Sequence, residues 1–496
     1  MKFFCSLSSA ACAAAFLIGG CASDAGGGVG SPTGGSSNGG QAGSASGGRS
    51  GPGGSGSGGV SSSTGGSGSG GKSGGGVGSG GSGSGGASSG GQSGGGTGSG
   101  GSTGGPGNGG AAGGGTTGSA AGGSTGKGGG TGNCPSDTCP APNAGVTIGC
   151  KKRFMYGVNY AWSSTNNSAN FGSDFGGLAA WSKQGVAATK AARTTDMTDM
   201  KDNGVDILRW WMFPSLAGDG LKFDTNKTPS GIGGTLIDDI NAALDIAGTL
   251  DLHIKLTLFS FDTFWNEFVT SGVTFPGLKP IITDDAKRAA LISKIVIPIA
   301  QAVESSPNKD RMISWDVINE PEWSITGEDG YGDQKFDPQS SGSDNKTMGQ
   351  VTFPQMETFV RDVVTALHAN SSAPVTVGSA AIKWAKAWSK VGLDYYDFHW
   401  YGWVDQYFPH TKTPADYQVG DKPVVVGEFP LVPSSDTTGQ AFGGIKYGKL
   451  LDDWYAAGYA GAQGWAFSET QGAFSWTTGK TEVKAWASAH ACYTHY

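Results

Sequence analysis

The sequence predicts an α/β fold, a (β/α)8 barrel preceded by a long glycine- and serine-rich segment. Eight short apolar runs alternate with helical patterns over residues 151–496, and such alternation predicts a parallel sheet. The connections that follow the strands are long, and several of those that precede the strands are short. This places the extra chain length on one face of the barrel, the face where binding loops lie.

The first twenty residues are typical of a secretory signal. Met1-Lys2-Phe3-Phe4 precedes an apolar stretch, residues 10–20, that is too short to cross the hydrocarbon of a membrane. The stretch ends in Leu17-Ile18-Gly19-Gly20-Cys21, which resembles a bacterial lipobox. The resemblance implies cleavage before Cys21, a lipid on that cysteine, and a protein held at the cell surface or outer membrane. Ordinary cleavage without a lipid, with release from the cell, is the alternative.

Residues 21–133 contain most of the 92 glycines of the chain and no aromatic residue. A segment of Gly, Ser, Thr and Ala cannot bury enough apolar surface to offset its conformational entropy. We therefore predict a disordered linker, with a root-mean-square span of roughly 60 Å on the random-coil estimate. Such a linker would let a folded domain sweep a shell outside the membrane.

Residues 134–150 form a lead-in segment with three cysteines, and residues 151–496 form the barrel domain. In an exported protein, the even set Cys134, Cys139, Cys150 and Cys492 favours disulfides over free thiols. Three pairings are possible, and we favour Cys134 with Cys139 and Cys150 with Cys492. A zinc site is the alternative, although no histidine lies near the first three cysteines.

The charge pattern argues against nucleic acid or an anionic lipid surface as the main partner. The formal net charge is −7, and no Lys/Arg-rich run occurs that could bind a polyanion. All fifteen tryptophans lie beyond residue 150. A neutral substrate and a monomeric protein are expected.

The predicted strands are residues 155–160, 205–212, 253–259, 313–318, 375–379, 396–400, 424–427 and 462–467. Helical patterns between them include residues 235–248, 284–304, 354–368 and 444–457. Gly204, just before the second strand, suits a left-handed helix cap. The long connections after strands are residues 161–183, 213–234, 260–283 and 319–353.

Two of the strand runs end in a glutamate, namely Glu320 after Trp315-Asp316-Val317-Ile318-Asn319 and Glu428 after Pro423-Val424-Val425-Val426-Gly427. Buried parallel strands deliver such residues to one edge of the barrel. Two carboxyl groups in different environments can supply a proton for a leaving oxygen and a negative charge for an oxocarbenium-like centre. Cleavage of a glycosidic bond needs both.

These motifs resemble those of the retaining (β/α)8-barrel (TIM-barrel) glycoside hydrolases, with family 5, the cellulases and β-mannanases, as the nearest relative. The resemblance covers residues 151–496 and rests on Asn319-Glu320-Pro321 and Gly427-Glu428-Phe429. It implies that Glu320 is the acid/base and Glu428 the nucleophile of a double displacement that needs no cofactor and no metal. The implied activity is endo-hydrolysis of a neutral polysaccharide, β-1,4-mannan or β-1,4-glucan.

The same resemblance implies roles for five substrate-binding residues. Asn319 would hydrogen-bond the 2-hydroxyl of the sugar, and Arg209 and Tyr401 would contact the nucleophile. His399 matches the histidine of the same motif as Tyr401, and Trp465 matches the tryptophan under the sugar at the cleavage point. Further tryptophans near strand ends could line other subsites: Trp162, Trp210, Trp211, Trp265, Trp323, Trp403 and Trp476.

One departure from the pattern bears on the substrate. The third strand ends in Leu258-Phe259-Ser260, where family 5 cellulases often carry a histidine, so a mannanase is at least as well supported as a cellulase. An exo-acting or transglycosylating relative is a second possibility. A non-catalytic carbohydrate-binding surface lipoprotein is a third, which the presence of both glutamates disfavours. Glu322, which follows Pro321, is expected in a loop.

Overall fold

A computed structural model of the chain describes residues 137–161, 185–213, 220–264, 266–270, 273–275, 277–328, 335–336, 350–439 and 442–496. The predicted signal, Cys21, the linker and Cys134 lie outside the described residues, as do Trp162 and Trp265. Among the described residues, no helix has both the length and the apolar character that a membrane span requires.

Eight parallel strands close into a barrel, which confirms the predicted (β/α)8 fold. They are β1 (Met155–Asn159), β2 (Ile207–Phe213), β3 (His253–Ser260), β4 (Met312–Asn319), β5 (Val375–Ser379), β6 (Tyr396–His399), β7 (Val424–Glu428) and β8 (Gly461–Gly464). Each strand pairs with the next in the chain, and β8 pairs with β1. The strand order is therefore that of the sequence.

The helices surround the barrel. They are α1 (Lys190–Asp202), α2 (Leu236–Leu250), α3 (Lys279–Thr283), α4 (Asp285–Leu291), α5 (Ile297–Ser305), α6 (Phe353–Asn370), α7 (Ile382–Ala385), α8 (Gly402–Asp405), α9 (Tyr447–Ala457), α10 (Trp476–Ala489) and α11 (Ala491–Thr494). After β5 and β6 the helices are one turn long and are followed by 3₁₀ turns, Lys386–Lys390 and Pro414–Tyr417. Short two-stranded ribbons lie outside the barrel: Val146–Ile148 with Lys151–Arg153, Leu221–Phe223 with Pro229–Ile232, Phe268–Thr270 with Val273–Phe275, and Ile325–Thr326 with Val351–Thr352.

The run predicted as one helix over residues 284–304 is interrupted. Asp284 caps α4, because its carboxylate accepts hydrogen bonds from the backbone N–H groups of Ala286 and Lys287 at 2.9 and 3.1 Å. Pro298 has no N–H to bond the carbonyl four residues back, which breaks the α-helical ladder. A π-helical turn, Ile292–Val296, joins α4 to α5 at this point.

Gly204 takes the left-handed conformation predicted for it, with φ = +81°. The chain also passes closely against α10 here, since a Cβ at this position would lie 2.6 Å from the Cβ of Ala487. Glycine thus serves both the turn from α1 into β2 and the helix packing beside it.

The amino-terminal end of the barrel is closed by an apolar plug. Inward side chains of several strands, including Met155, Ile207 and Ile313, pack there against Val146 and Tyr496. The Tyr496 hydroxyl donates to the Val146 carbonyl at 3.0 Å. The last residue of the chain and the lead-in ribbon thus hold each other under the barrel.

The disulfide pairing favoured from the sequence is wrong. Cys492 pairs with Cys139, with a Cα–Cα distance of 5.0 Å, and Cys150 is bonded in a disulfide as well. The cause is the path of the lead-in segment. Arg153 donates to Asp137, two residues before Cys139, at 2.5 Å and to the carbonyl of His495 at 2.6 Å, so it draws the lead-in and the carboxyl terminus together.

Candidate active site

The two predicted glutamates lie together at the carboxyl end of the barrel. Asn319 is the last residue of β4, so Glu320 follows it directly, and Glu428 is the last residue of β7. Both side chains are buried, 6% and 1% exposed. A carboxylate oxygen of each lies within 4.8 Å of the other and of a ring nitrogen of His399.

Glu320 is held in an unusual backbone conformation, with φ = 49° and ψ = 49°. A left-handed residue other than glycine is strained and persists where its surroundings over-determine it. Its N–H donates to the carbonyl of Gly378 on β5 at 2.6 Å, and Pro321 begins a 3₁₀ turn directly after it. The strand end and this turn fix where the Glu320 carboxyl group points.

Two donors contact the carboxylate of Glu428. Arg209 donates from Nη1 to Oε1 at 2.7 Å, and the Tyr401 hydroxyl donates to Oε2 at 2.7 Å. The guanidinium is itself fixed, since Asp316 accepts from its Nε at 3.0 Å and from its Nη2 at 2.7 Å. Burial raises the pKa of Glu428 to about 7, while Arg209 and Tyr401 act in the opposite direction.

Glu320 has neutral partners. Trp323 donates its indole N–H to Oε2 at 2.9 Å, and Nδ1 of His399 lies 2.7 Å from Oε1. Burial, with Arg209 nearby, holds the pKa of His399 well below 6.5, so the ring is neutral at ordinary pH. Burial and the negative charge of Glu428 raise the pKa of Glu320 well above 4.5.

This asymmetry separates the two carboxyl groups chemically. Glu428 lies against a guanidinium that favours its ionised form, whereas no cation touches Glu320 among the described residues. The shared site therefore favours a proton on Glu320 and a negative charge on Glu428. Carboxyl groups with pKa values pushed apart in this way can divide acid and nucleophile roles.

Asn319 has one hydrogen bond in the site and one group available for a ligand. Its Oδ1 accepts from Nη2 of Arg209 at 2.8 Å. Its Nδ2 is buried and has no hydrogen-bond partner among the described residues. A buried amide without a partner is costly, and a sugar hydroxyl could accept its hydrogen bond.

Trp465 lies one residue past β8 and is fully buried. Its ring centroid is 5.6 Å from that of Trp211, and the two form a small cluster with Ala161 and Ala466. The guanidinium of Arg209 lies 5.8 Å from the Trp211 ring, which ties the cluster to the carboxylate site. Of the other predicted subsite tryptophans that the structure describes, Trp323 contacts Glu320, Trp403 packs 5.9 Å from Trp323, and Trp210 and Trp476 lie in the main core.

Sequence reasoning missed the polar residues that support this site from inside the barrel: Asn159, Lys255, Asp316, Asp397 and Gln463. For Lys255, Asp316 and Asp397 the available signal was a charged residue within an apolar strand run. Asp397 stands two residues before His399, so both side chains point to the same side of β6. Asp316 lies within β4, four residues before Glu320.

The sequence suggested that Glu322 is a loop residue, but the structure places it in a short 3₁₀ turn. It lies fully buried in the 3₁₀ turn Pro321–Ser324. Its carboxyl group accepts from Ser379 Oγ at 2.6 Å, Ala380 N at 2.9 Å and Trp388 Nε1 at 2.8 Å. Glu322 thus fastens the turn that carries Glu320 to the end of β5.

Glu320, His399 and Glu428 are also close enough to coordinate a metal ion, and they are the one such group found in the described part of the chain. An ion there would compete with the buried guanidinium of Arg209 for Glu428. Two-carboxylate glycoside hydrolysis needs no metal.

A (β/α)8 barrel with two buried carboxyl groups at the ends of β4 and β7 has the groups that two-carboxylate hydrolysis of a glycosidic bond requires. The chain is 26% identical over 365 residues to mannan endo-1,4-β-mannosidase of Cryptopygus antarcticus, covering 67% of this chain and 85% of that protein. It is 27% identical over 343 residues to the enzyme of the same name from Mytilus edulis, covering 64% and 84%. These relatives confirm the resemblance drawn from the motifs, and the protein is a glycoside hydrolase. No family model matches the chain.

Solved structures agree on the fold. The β-1,4-D-mannanase of Cryptopygus antarcticus superposes with a TM-score of 0.54 at 23% identity, covering 69% of this chain and 93% of that one. The β-mannanase of Mytilus edulis gives a TM-score of 0.51 at 22% identity, covering 70% and 94%. The barrel architecture is therefore shared with these enzymes.

Proposed function

We propose that the protein is a retaining endo-β-1,4-mannanase. The observation that carries the mechanism is the closeness of Glu320 and Glu428, since one carboxyl oxygen of each lies within 4.8 Å of one of the other. Carboxyl groups about 5 Å apart leave no room for a water between nucleophile and sugar, whereas inverting enzymes separate them by about 6.5–9.5 Å. The spacing supports direct attack by a carboxylate.

In the first step, Glu320 donates its proton to the glycosidic oxygen as the bond to the anomeric carbon breaks. A carboxylate oxygen of Glu428 forms a bond to that carbon, and the rest of the polysaccharide leaves with a new hydroxyl group. Arg209 and Tyr401 keep Glu428 ionised and oriented before attack. The Nδ2 group of Asn319 donates to the sugar's 2-hydroxyl, and Trp465 packs beneath the ring.

In the second step, Glu320 is ionised and removes a proton from water, and the water oxygen attacks the anomeric carbon. The bond to Glu428 breaks, so both carboxyl groups return to their starting states and the anomeric configuration is retained. Trp323 supports this step, because its N–H stabilises the ionised form of Glu320.

Mannan is favoured over glucan as the substrate by two independent observations. The relatives reported above are named mannan endo-1,4-β-mannosidases. The end of β3 carries Ser260, in the place where family 5 cellulases often have a histidine.

Product analysis tests this proposal. The full chain is incubated with β-1,4-mannan, a soluble cellulose derivative, mixed-linkage glucan and xylan, with Glu428→Gln as the blank. We expect a ladder of manno-oligosaccharides from mannan alone and none from the variant. Release of only mannose or a transfer product would instead support an exo-acting or transglycosylating enzyme. Binding without any product would support the non-catalytic alternative.

We also propose that the protein is a monomer, exported and held on a membrane by a lipid on Cys21, with residues 21–133 as the tether. The lipobox-like sequence Leu17–Cys21 and the Gly/Ser composition behind it support the export and the anchor. Cells that express the full chain should yield protein in the detergent phase of a detergent partition. Cys21→Ala should move it to the aqueous phase, and equal partitioning of both would refute the anchor.

A further inference from the structure

Lys255 on β3 and Asp397 on β6 form an ion pair inside the barrel, here called the inner pair. Both side chains are fully buried. Barrel interiors of this fold are mostly filled by branched apolar side chains. A buried ion pair loses the hydration of two charges and is often no more stabilising than apolar residues of the same volume, so the inner pair calls for a reason other than stability.

The inner pair touches the residue just before the predicted nucleophile. A Cβ placed on Gly427 would lie 1.9 Å from Oδ1 of Asp397, so the carboxylate rests directly on the backbone that leads into Glu428. Only glycine allows this approach. The Gly427 carbonyl is fixed from the other side by Asn159, whose Nδ2 donates to it at 2.8 Å.

Lys255 holds Asp397 in this place. Its ammonium group donates to Oδ2 of Asp397 and, at 3.3 Å, to Oε1 of Gln463 on β8. Its Nζ also lies 5.6 Å from the centroid of the Tyr395 ring. Oδ1 of Asp397, the atom against Gly427, has no hydrogen-bond partner among the described residues.

The charges around Glu428 show why a second cation matters. The charged and titratable groups facing it and the inner pair are Arg209 on β2, Lys255 on β3, Asp316 and Glu320 at β4, and Tyr395, Asp397, His399 and Tyr401 at β6. With His399 neutral, the cations in this set are Arg209 and Lys255. Arg209 is shared between Asp316 and Glu428, which leaves Lys255 to balance Asp397.

We infer that the inner pair is a positioning element for Glu428, in which Asp397 supports the backbone at Gly427 and Lys255 cancels the charge that Asp397 would otherwise place behind the nucleophile. This inference rests on the proposed function, because it assigns the pair to Glu428 as the attacking group. Lys255 and Asp397 touch neither substrate nor reacting atoms, so they act through Glu428.

The direction of each electrostatic effect is defined. Burial raises the pKa of Glu428, and the charge of Asp397 raises it further. Burial also raises the pKa of Asp397, which Lys255 opposes. Loss of the ammonium charge alone should therefore raise the pKa of Glu428, and loss of the carboxylate charge alone should lower it.

Three variants test the inference: Lys255→Gln, Asp397→Asn, and the double variant, which keeps a hydrogen-bonding pair but removes both charges. The readout is a ¹³C NMR titration of the full chain labelled at the glutamate side-chain carboxyl carbon, with Glu428→Gln to assign the signal. We expect the pKa of Glu428 to rise by about one pH unit in Lys255→Gln and to fall by about one in Asp397→Asn. In the double variant the pKa of Glu428 should lie within about 0.3 pH unit of its wild-type value, since the two charge effects cancel.

Shifts in the same direction, or none, in folded single variants would overturn the inference. If one single variant does not fold, the other decides together with the double variant: a shift in its expected direction that the double variant reverses supports the inference, and an unmoved pKa of Glu428 in that single variant overturns it. The titration needs no substrate. Inactivity of the wild type on mannan would therefore refute the proposed function separately. An unchanged pKa of Glu428 in the single variants of an active enzyme would refute only this inference.

Discussion

Trp323 donates its indole N–H to Oε2 of Glu320 at 2.9 Å. Trp323 lies in the 3₁₀ turn that begins right after the left-handed Glu320, so the turn returns a donor to the residue that starts it. His399 lies 2.7 Å from the other oxygen. The carboxyl group is thus held at both oxygens, which suits the proton-donor role proposed for Glu320.

Replacing Trp323 by phenylalanine should slow catalysis and change its pH dependence. The indole N–H stabilises the ionised form of Glu320, so its loss raises the pKa of that group further. A hydrogen bond to a charged group is worth about 1.5–3 kcal/mol, which corresponds to about a ten- to hundred-fold loss in kcat. The alkaline limb of kcat/KM should move to higher pH.

Trp384→Phe is the matched control, because Trp384 packs 5.4 Å from Trp323 and donates to the backbone carbonyl of Lys335. This substitution removes an indole N–H from a tryptophan that packs against Trp323 but donates to a backbone carbonyl, not to a carboxyl group. An alkaline limb that moves equally in both variants would show that packing, not the hydrogen bond, is responsible.

The barrel and its two carboxylates were predictable from the sequence for a physical reason. A strand buried on both faces reads as a continuous apolar run, and a glutamate that ends such a run has to lie at the strand's carboxyl end. Glu320 and Glu428 both end such a run. The alternation of strands and helices was likewise visible in the sequence. The predictions of strand ends were less accurate than the predictions of the strands themselves. The eighth strand, for example, was expected to run through residue 467 and ends at Gly464.

Features that depend on distant contacts were not predictable in this way. The partner of Cys492 follows from the ion pair of Asp137 with Arg153, which no local pattern announces. The inner pair, Lys255 with Asp397, joins strands that are not neighbours in the sheet. A charged residue inside an apolar run signals that it needs a partner, but the sequence does not say which one.

Activity should depend on pH through both glutamates. In the proposed mechanism Glu428 must be ionised, and burial raises its pKa to about 7, so kcat/KM should fall as the pH drops below about 7. The same mechanism requires a protonated Glu320, whose pKa burial raises well above 4.5, so kcat/KM should fall again on the alkaline side. The profile on soluble mannan is therefore expected to be bell-shaped.

Glu320→Gln with an aryl mannoside tests the assignment of the alkaline limb. A good leaving group departs without protonation, so the variant should keep much of its kcat/KM on this substrate and lose the alkaline limb. An alkaline limb that survives in Glu320→Gln would assign it to another group.

The disulfide between Cys139 and Cys492 should contribute to stability. It joins residues 353 positions apart in the sequence and ties the lead-in to the end of the chain, so it restricts the unfolded state. Removal of a native disulfide costs about 2–5 kcal/mol. The double variant Cys139→Ser, Cys492→Ser should therefore have a clearly lower thermal midpoint.

Activity of this variant on mannan at 25 °C should persist, because the disulfide lies at the end of the barrel opposite the carboxylate site. Equal thermal midpoints of wild type and variant would contradict the role assigned to the disulfide. Loss of activity in a variant that remains folded would contradict the separation of the two ends.

His495 should make stability depend on pH in a narrow window. Its Nδ1 lies 2.5 Å from Oδ1 of Asp206, and its Nε2 lies 2.9 Å from Oδ2 of Asp251. The hydrogen bond to Asp206, with the charge of Asp251, raises the pKa of His495 above 6.5. The resulting stabilisation is fully present below about pH 6.5 and is lost as the pH rises through the higher folded value.

Because His495 is 43% exposed, solvent screening limits the effect to less than about 1 kcal/mol. His495→Asn should lower the thermal midpoint most at about pH 6 and least at about pH 9. In an Asp206→Asn background the pH-dependent part should shrink, since the main partner is gone. A deficit in His495→Asn that is equal at both pH values would mean that the side chain stabilises the carboxyl terminus by packing alone.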